Sequence, residues 1–193
     1  MLKIVVTNEK GGTGKSTLAC LLVDYLNWKH KKVQLIDTDE IQTAQTWATN
    51  CQEEGRTVSQ NPAEYQVIDT PGSGGSALRW LKAADLIVVP FRAHYADLQT
   101  TILWFTSLTA EWQKKISLVP NQWQKTKEQQ EGLQQLQAIV QEEQHGQITA
   151  PLRHRPALYG AFLNGNKENF FANPKLPPEI KSVISEILNH ASA

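Results

Sequence analysis

Lys10-Gly11-Gly12-Thr13-Gly14-Lys15-Ser16-Thr17 is the stretch that decides how this chain of 193 residues folds. It follows Leu2–Thr7, a short β-branched apolar run of the kind buried on both faces of a parallel sheet. It opens Ser16–Trp28, where Leu18, Leu21, Leu22, Tyr25 and Leu26 recur at helical spacing. A strand, a glycine-rich loop and a helix in that order make a cradle for phosphate. Gly11, Gly12 and Gly14, with Thr13 between them, let backbone N–H groups turn toward anionic oxygens. The helix start adds unpaired N–H groups and a positive dipole end. Lys15 then reaches the β- and γ-phosphates as a point charge. The Ser16 hydroxyl is placed to ligate Mg²⁺, with Thr17 behind it.

Working outward, strands are predicted at Val33–Ile36, Tyr65–Ile68, Leu86–Pro90 and Ile116–Val119. Helices are predicted at Glu40–Glu53, Ser76–Ala83, Leu98–Trp112, Glu128–Glu143 and Pro178–His190. The alternation predicts an α/β fold, a mostly parallel twisted sheet flanked by helices on both faces. Right-handed crossovers bring the strand C-termini to one edge, where ligands bind. Length and the lack of an internal repeat predict a single domain over residues 1–193. The Gln-rich stretch Gln122–Gln147 keeps an apolar period through Leu133, Leu136, Ile139 and Val140, so it reads as a helix surface.

Lys plus Arg number 19 and Asp plus Glu 19, which excludes a polycation that coats nucleic acid but leaves room for a local basic patch. Cys20 and Cys51 are too few for a disulfide framework and lack metal-site spacing. No apolar run is long enough to span a bilayer, and Met1–Thr7 reads as a strand, not a leader. A cytoplasmic protein is expected.

Three aspartates fall at predicted strand ends: Asp37 and Asp39 after the second strand, and Asp69 after the third, followed by Thr70-Pro71-Gly72. Parallel topology sets them beside the loop, where few carboxylates and several waters suit Mg²⁺. Asn121, after the fifth strand, either starts a turn or offers its amide to an amino-purine edge.

The plain phosphate-loop pattern expects glycine at position 9, where Glu9 stands, and Lys10 leads the loop instead. This loop resembles that of the deviant Walker branch of P-loop NTPases, ParA, MinD and their relatives. The resemblance implies an ATPase using ATP and Mg. It implies that Lys10 crosses a dimer interface to the partner's nucleotide, that Asp39 positions the attacking water, that Asp37 supports the metal shell and that Asp69 is the Walker B aspartate. Glu40 and Ile41 depart from the family's Pro-Gln at that point. In Pro90-Phe91-Arg92 and at Asp97 the resemblance reaches a segment near the dimer interface.

With no helix-turn-helix ahead of the first strand, the chain is most similar to the small ParA subgroup. The last helix carries Glu179, Lys181 and Glu186 and offers anionic lipid no basic face, so no membrane partner is expected. The implied function is a positioning switch. An ATP-dependent homodimer binds DNA non-specifically on the nucleoid, and a ParB-like or cargo adaptor protein resets it by stimulating hydrolysis, segregating a plasmid or chromosome. Arg153, Arg155 and Lys167 are the candidate DNA contacts. The alternatives are McdA-like positioning of a protein cargo and a metabolic enzyme on the same fold. The nitrogenase iron protein is disfavoured because Cys20 and Cys51 do not supply its cluster ligands. A dethiobiotin synthetase-like enzyme would need a substrate pocket.

Overall fold

The computed structural model describes residues 1–72 and 77–191. In chain order the elements are β1 (Leu2–Val6), α1 (Lys15–Trp28), β2 (Val33–Asp37), α2 (Thr43–Glu53), β3 (Tyr65–Asp69), α3 (Leu78–Lys82), β4 (Leu86–Arg92) and α4 (Tyr95–Thr106). They continue with α5 (Ala110–Gln113), β5 (Ile116–Asn121), α6 (Lys127–Glu143), β6 (Gln147–Ile148), α7 (Pro156–Leu163), a 3-10 turn (Phe170–Ala172) and α8 (Pro178–His190). Among the described residues the strands form one six-stranded, all-parallel sheet in the order β2-β3-β1-β4-β5-β6.

Both faces of the sheet are covered, and side-chain alternation divides each strand between two cores. Ile4 and Val6 of β1, Val67 of β3, and Leu86 and Val88 of β4 join α1, α2, α7 and α8 in one core. Val5, Ile68, Ile87 and Val89 join α4 and α6 in the other. Continuous burial on both faces explains why the strands read as unbroken apolar runs.

Two departures from the sequence reading have local causes. The helix predicted over Leu98–Trp112 is two helices. Thr106 and Ser107 donate their hydroxyls to the carbonyls of Ile102 and Trp104, and Thr109 turns extended ahead of α5. Hydroxyls that bond back to helix carbonyls weaken and bend a helix. The second helix starts at Thr43, not Glu40, because Gln42 sits at φ +53, outside helical space. β6 and α7 were not predicted. The predicted helix Ser76–Ala83 is described only over Leu78–Lys82, and Ser76 lies outside the described residues.

The register sets the functional edge. Asp37 lies opposite Asp69, Asp69 opposite Val6, and Arg92 opposite Asn121. All five close their strands at the same end of the sheet. The strand order reverses beside β1, and the loop after β1 emerges there. No helix of the described residues is long and apolar enough to cross a membrane.

Candidate functional site

The loop between β1 and α1 is held open by its neighbours. Asn8 accepts the Lys10 N–H at 2.9 Å and donates to the Pro90 carbonyl at 2.9 Å, which pins the loop to β4. Asn121 donates to the Thr13 carbonyl at 2.8 Å, and Gln122 donates to the Gly12 carbonyl at 2.8 Å. Because the peptide is planar and trans, these two bonds turn the N–H groups of Thr13 and Gly14 the opposite way. Gly14 starts α1 in the left-handed region at φ +93, with no side chain capping the helix. The first N–H groups of α1 therefore remain available to an anion.

Two glycines are dictated by space. A Cβ on Gly14 would lie 2.2 Å from Asn121 Nδ2, and one on Gly72 would lie 3.2 Å from both the Gly11 nitrogen and Lys15 Nζ. Gly14→Ala is expected to lower stability by about 1–2 kcal/mol through left-handed strain alone. It should also weaken nucleotide binding by displacing Asn121. Denaturant unfolding and nucleotide titration would measure the two effects.

Lys15 is buried, and its ammonium donates to the Lys10 carbonyl at 3.0 Å. Burial lowers its pKa, while Asp69 and Asp39 pull it back up. Asp69 is fully buried, and neither carboxylate oxygen has a hydrogen-bond partner of ordinary geometry. Burial pushes it up to about 7; the Ser16 hydroxyl and Lys15 oppose this, and Asp37 and Asp39 reinforce it. A buried, unpartnered carboxylate beside a serine hydroxyl is a donor set that suits a hydrated Mg²⁺. Of the groups at this edge, Ser16 and Asp69 fit such an ion best.

Asp37 is already engaged. Its Oδ1 accepts the Asp39 N–H at 3.0 Å, and its Oδ2 accepts those of Ala44 and Gln45 at 2.9 and 3.0 Å. It therefore anchors the start of α2 from six residues upstream of Thr43. Asp39 accepts the Ile41 N–H at 3.0 Å and is half-buried, close enough to Lys15 to affect its ionisation. Ile41 is 80% exposed beside it.

Lys10 does not project freely. Its Nζ lies 2.6 Å from Asp97 Oδ1, and Arg92 Nε lies 2.5 Å from Asp97 Oδ2. Against the upward push of burial, these bonds hold Asp97 below its usual range. Two cations thus share one carboxylate at the mouth of the loop, and Arg92 and Asp97, both placed by the resemblance near a dimer interface, meet there.

The candidate DNA contacts lie on two segments, one before α7 and one after it. Arg155 pairs with Glu179 at 2.7 Å, and Arg153 and Arg155 line a cavity of about 160 Å³ beside Gly14 and Thr17. Lys167 is exposed elsewhere, on the segment after α7. A different cationic cluster was missed. Lys29, His30, Lys31 and Lys32 are all exposed at the end of α1, and the ammoniums of Lys29 and Lys181 lie 4.4 and 4.7 Å from the Trp28 ring. The run Trp28-Lys29-His30-Lys31-Lys32 was visible in the sequence. Only the fold adds Lys181.

A phosphate loop at the switch point of an all-parallel sheet, with a buried carboxylate opposite, defines a P-loop nucleotide-binding domain. The chain belongs to the CbiA family, the CobQ/CobB/MinD/ParA nucleotide binding domain, whose family model matches residues 4–167. Among curated protein sequences none matches. Solved structures with the same fold include MinD in the MinC:MinD cell division complex of Aquifex aeolicus, at 17% identity and TM-score 0.72, covering 100% of this chain and 97% of that one. An ATP complex of a McdA variant from Cyanothece is similar at 13% identity and TM-score 0.73, covering 100% and 96%. The pnob8 ParA is similar at 12% identity and TM-score 0.71, covering 99% and 97%.

Proposed function

We propose that this protein is a ParA-type positioning ATPase, an ATP-dependent dimer that binds DNA without reading sequence and is reset by a partner that stimulates hydrolysis. The observation that carries the reading is the Lys10-led loop, with Lys15 inside it and the unpartnered Asp69 opposite. Lys15 and the free N–H groups of α1 bind the polyphosphate. Ser16 and Asp69 would hold Mg²⁺, with Asp37 fixing the loop that carries Asp39. The metal supplies charge neutralisation across the phosphates when bound. Asp39 orients water. Lys10 leaves Asp97 to reach a nucleotide in the second subunit, where a further cation offsets the charge of two facing polyphosphates. Partner-dependent turnover is the ordinary arrangement for switch NTPases.

DNA contact would be made through phosphates. Arg153 and Lys167 remain candidates, joined by the cluster around Trp28. The cargo is a plasmid, a chromosome or a protein assembly; a structural neighbour from Borrelia burgdorferi is described as a plasmid partition protein. The test is DNA retention with ATP, ADP or no nucleotide at two salt concentrations. Retention should require ATP, fall with salt, disappear in Lys10→Ala and persist in Asp39→Ala. ATP-driven dimerisation with no DNA retention in any state would sink the DNA reading.

One observation favours a second reading, a phosphate-transferring enzyme on the same fold. A cavity of about 530 Å³ opens beside Asn8, Glu9 and Pro71, walled by Val89, Thr101 and Trp104. Hydrolysis or phosphate transfer that needs a small molecule and no protein partner would favour this reading.

A further inference from the structure

The edge of the sheet where the strands start, remote from the phosphate loop, carries cations that the fold leaves without counter-charges. α1 runs 14 residues from Lys15, which puts Trp28 about 20 Å from the loop. Just past it Lys29, His30, Lys31 and Lys32 are exposed, and Val33 opens β2. Lys181 reaches the same place from α8. Its ammonium lies 4.7 Å from the centre of the Trp28 ring, and that of Lys29 lies 4.4 Å from it. Trp28 is itself held by Tyr25 and Phe171, at ring separations of 5.5 and 6.4 Å. Among the described residues none of these lysines is paired with a carboxylate. The nearby Glu64 carboxylate is spent on the backbone, accepting the Lys32 N–H at 3.1 Å.

The lysines are not needed to finish the helix. The Lys31 N–H bonds back to the Leu26 carbonyl and the His30 N–H to the Asn27 carbonyl, each at 2.9 Å, so the backbone alone closes α1. His30 takes the left-handed position, φ +58, that ordinarily falls to glycine. This turn fixes the backbone under Lys29, Lys31 and Lys32. Unpaired ammoniums repel one another, and in a chain of formal net charge +0 that repulsion is local, not a by-product of overall charge. A polyanion relieves it. Two ammoniums already occupy the Trp28 ring, so the indole offers neither a platform for a base nor an anchor for an apolar side chain. Hydrated point charges without such an anchor suit backbone phosphates and read no sequence.

We propose that this cluster is a contact surface for the phosphate backbone of DNA, and that the ATP-bound dimer uses its two copies to bridge two separate DNA segments. The proposal rests on the positioning-ATPase reading and adds an activity to it. A dimer in which Lys10 reaches the partner's nucleotide joins the two subunits at the edges where their strands end. A two-fold axis then sends the edges where the strands start, and both clusters with them, to opposite ends of the dimer. One straight duplex cannot lie on both. A single cluster of four lysines binds weakly and loses about 100-fold in affinity between about 50 and 200 mM salt. Two clusters acting on one long molecule gain from effective concentration, which makes retention on long DNA depend on dimerisation.

The experiment fixes one short duplex on beads and measures capture of a second, labelled duplex of unrelated sequence, with Mg²⁺ and ATP, ADP or no nucleotide. The proteins are the wild type, Lys10→Ala, and a variant combining Lys29→Gln, Lys31→Gln, Lys32→Gln and Lys181→Gln, with dimerisation followed by sedimentation. Beads carrying poly-glutamate serve as an acidic protein surface. The wild type should capture the second duplex with ATP only, and Lys10→Ala should capture none. The glutamine variant should dimerise with ATP like the wild type and lose the capture. Each lysine removed should lower the salt slope of DNA binding by about one. Undiminished capture by the glutamine variant would overturn the proposal, as would capture that is equal with ADP. A wild type that retains the first duplex but never the second overturns the bridging alone and leaves the DNA reading standing. Retention on poly-glutamate and not on DNA would assign the cluster to an acidic protein and overturn the proposal. A wild-type dimer that binds neither duplex nor poly-glutamate overturns the DNA reading and the proposal with it.

Discussion

Asp69→Asn is expected to make the nucleotide-free protein more stable while abolishing the proposed hydrolysis of ATP. The carboxyl group is fully buried, has no hydrogen-bond partner, and is raised from 3.8 to about 7 chiefly by burial. A displacement of that size corresponds to about 4 kcal/mol. Its sign follows from proton linkage. Between about pH 4 and pH 7 the folded protein holds a proton that the unfolded chain has released, so stability falls as pH rises through that window. Above about pH 7 the folded carboxylate is ionised and the full cost is present. Asparagine carries no such cost. The stability difference between Asp69→Asn and wild type should be small near pH 4, grow toward pH 7, and then level off. Urea unfolding in metal-free buffer at several pH values would read this directly. Mg²⁺ with nucleotide should stabilise the wild type and not the variant, since only a charged oxygen rewards a cation. A pH-independent difference would mean that Asp69 is satisfied by some other group and is not held in reserve for a metal.

This strain at Asp69 illustrates which parts of the molecule were legible beforehand. Leu2–Thr7 and the loop after it could be read because their signals are local: β-branched burial, then glycines at fixed spacing before a helix. The ends of β2 and β3 followed from the same logic, so Asp37, Asp39 and Asp69 were correctly placed at one edge. What they do there was less legible. Asp37 spends its oxygens on N–H groups as far ahead as Gln45, because Gln42 takes a left-handed turn that no propensity demands. The pairing of Lys10 with Asp97 spans 87 positions and exists only because β1 and β4 are neighbours. β6 is two residues long, too short for a period of two to register, and forms because Ser117 and Leu118 offer it an edge. α7, Pro-Ala-Leu-Tyr-Gly-Ala-Phe-Leu, has no charged face and a glycine inside, so it shows no amphipathic period. That helix carries Tyr159, which lines the small cavity beside Gly14 and Thr17, so this wall of the site gave no local signal.

Arg56→Ala is expected to cost the protein more stability than any surface substitution, about 3–5 kcal/mol, because it strands a buried charge. Asp24 is fully buried on α1, and its carboxylate is paired with the Arg56 guanidinium and accepts the Phe170 N–H at 2.8 Å. Arg56 also donates to the Asn166 carbonyl at 3.0 Å and to Cys51 Sγ at 3.1 Å. Asn169 donates to the Asp24 carbonyl at 2.8 Å. One ion pair thus ties α1, the end of α2 and the segment between α7 and α8. Burial raises the Asp24 pKa, and Arg56 is the main group opposing that rise. Without Arg56 the folded state should take up a proton well above the pH at which the unfolded chain does. The deficit of Arg56→Ala should therefore shrink as pH is lowered, since a protonated Asp24 no longer needs a counter-charge. Asp24→Asn combined with Arg56→Ala should be less damaging than Arg56→Ala alone, because no charge is then left buried. A double-mutant cycle at pH 5 and pH 8 measures both effects. Additive losses at both pH values would mean that the pair contributes packing and not charge compensation. Below its melting temperature Arg56→Ala should still bind tripolyphosphate like the wild type, since no phosphate-loop residue is bonded to the pair. A matching loss of phosphate affinity would instead show that α1 transmits strain from Asp24 back to Ser16.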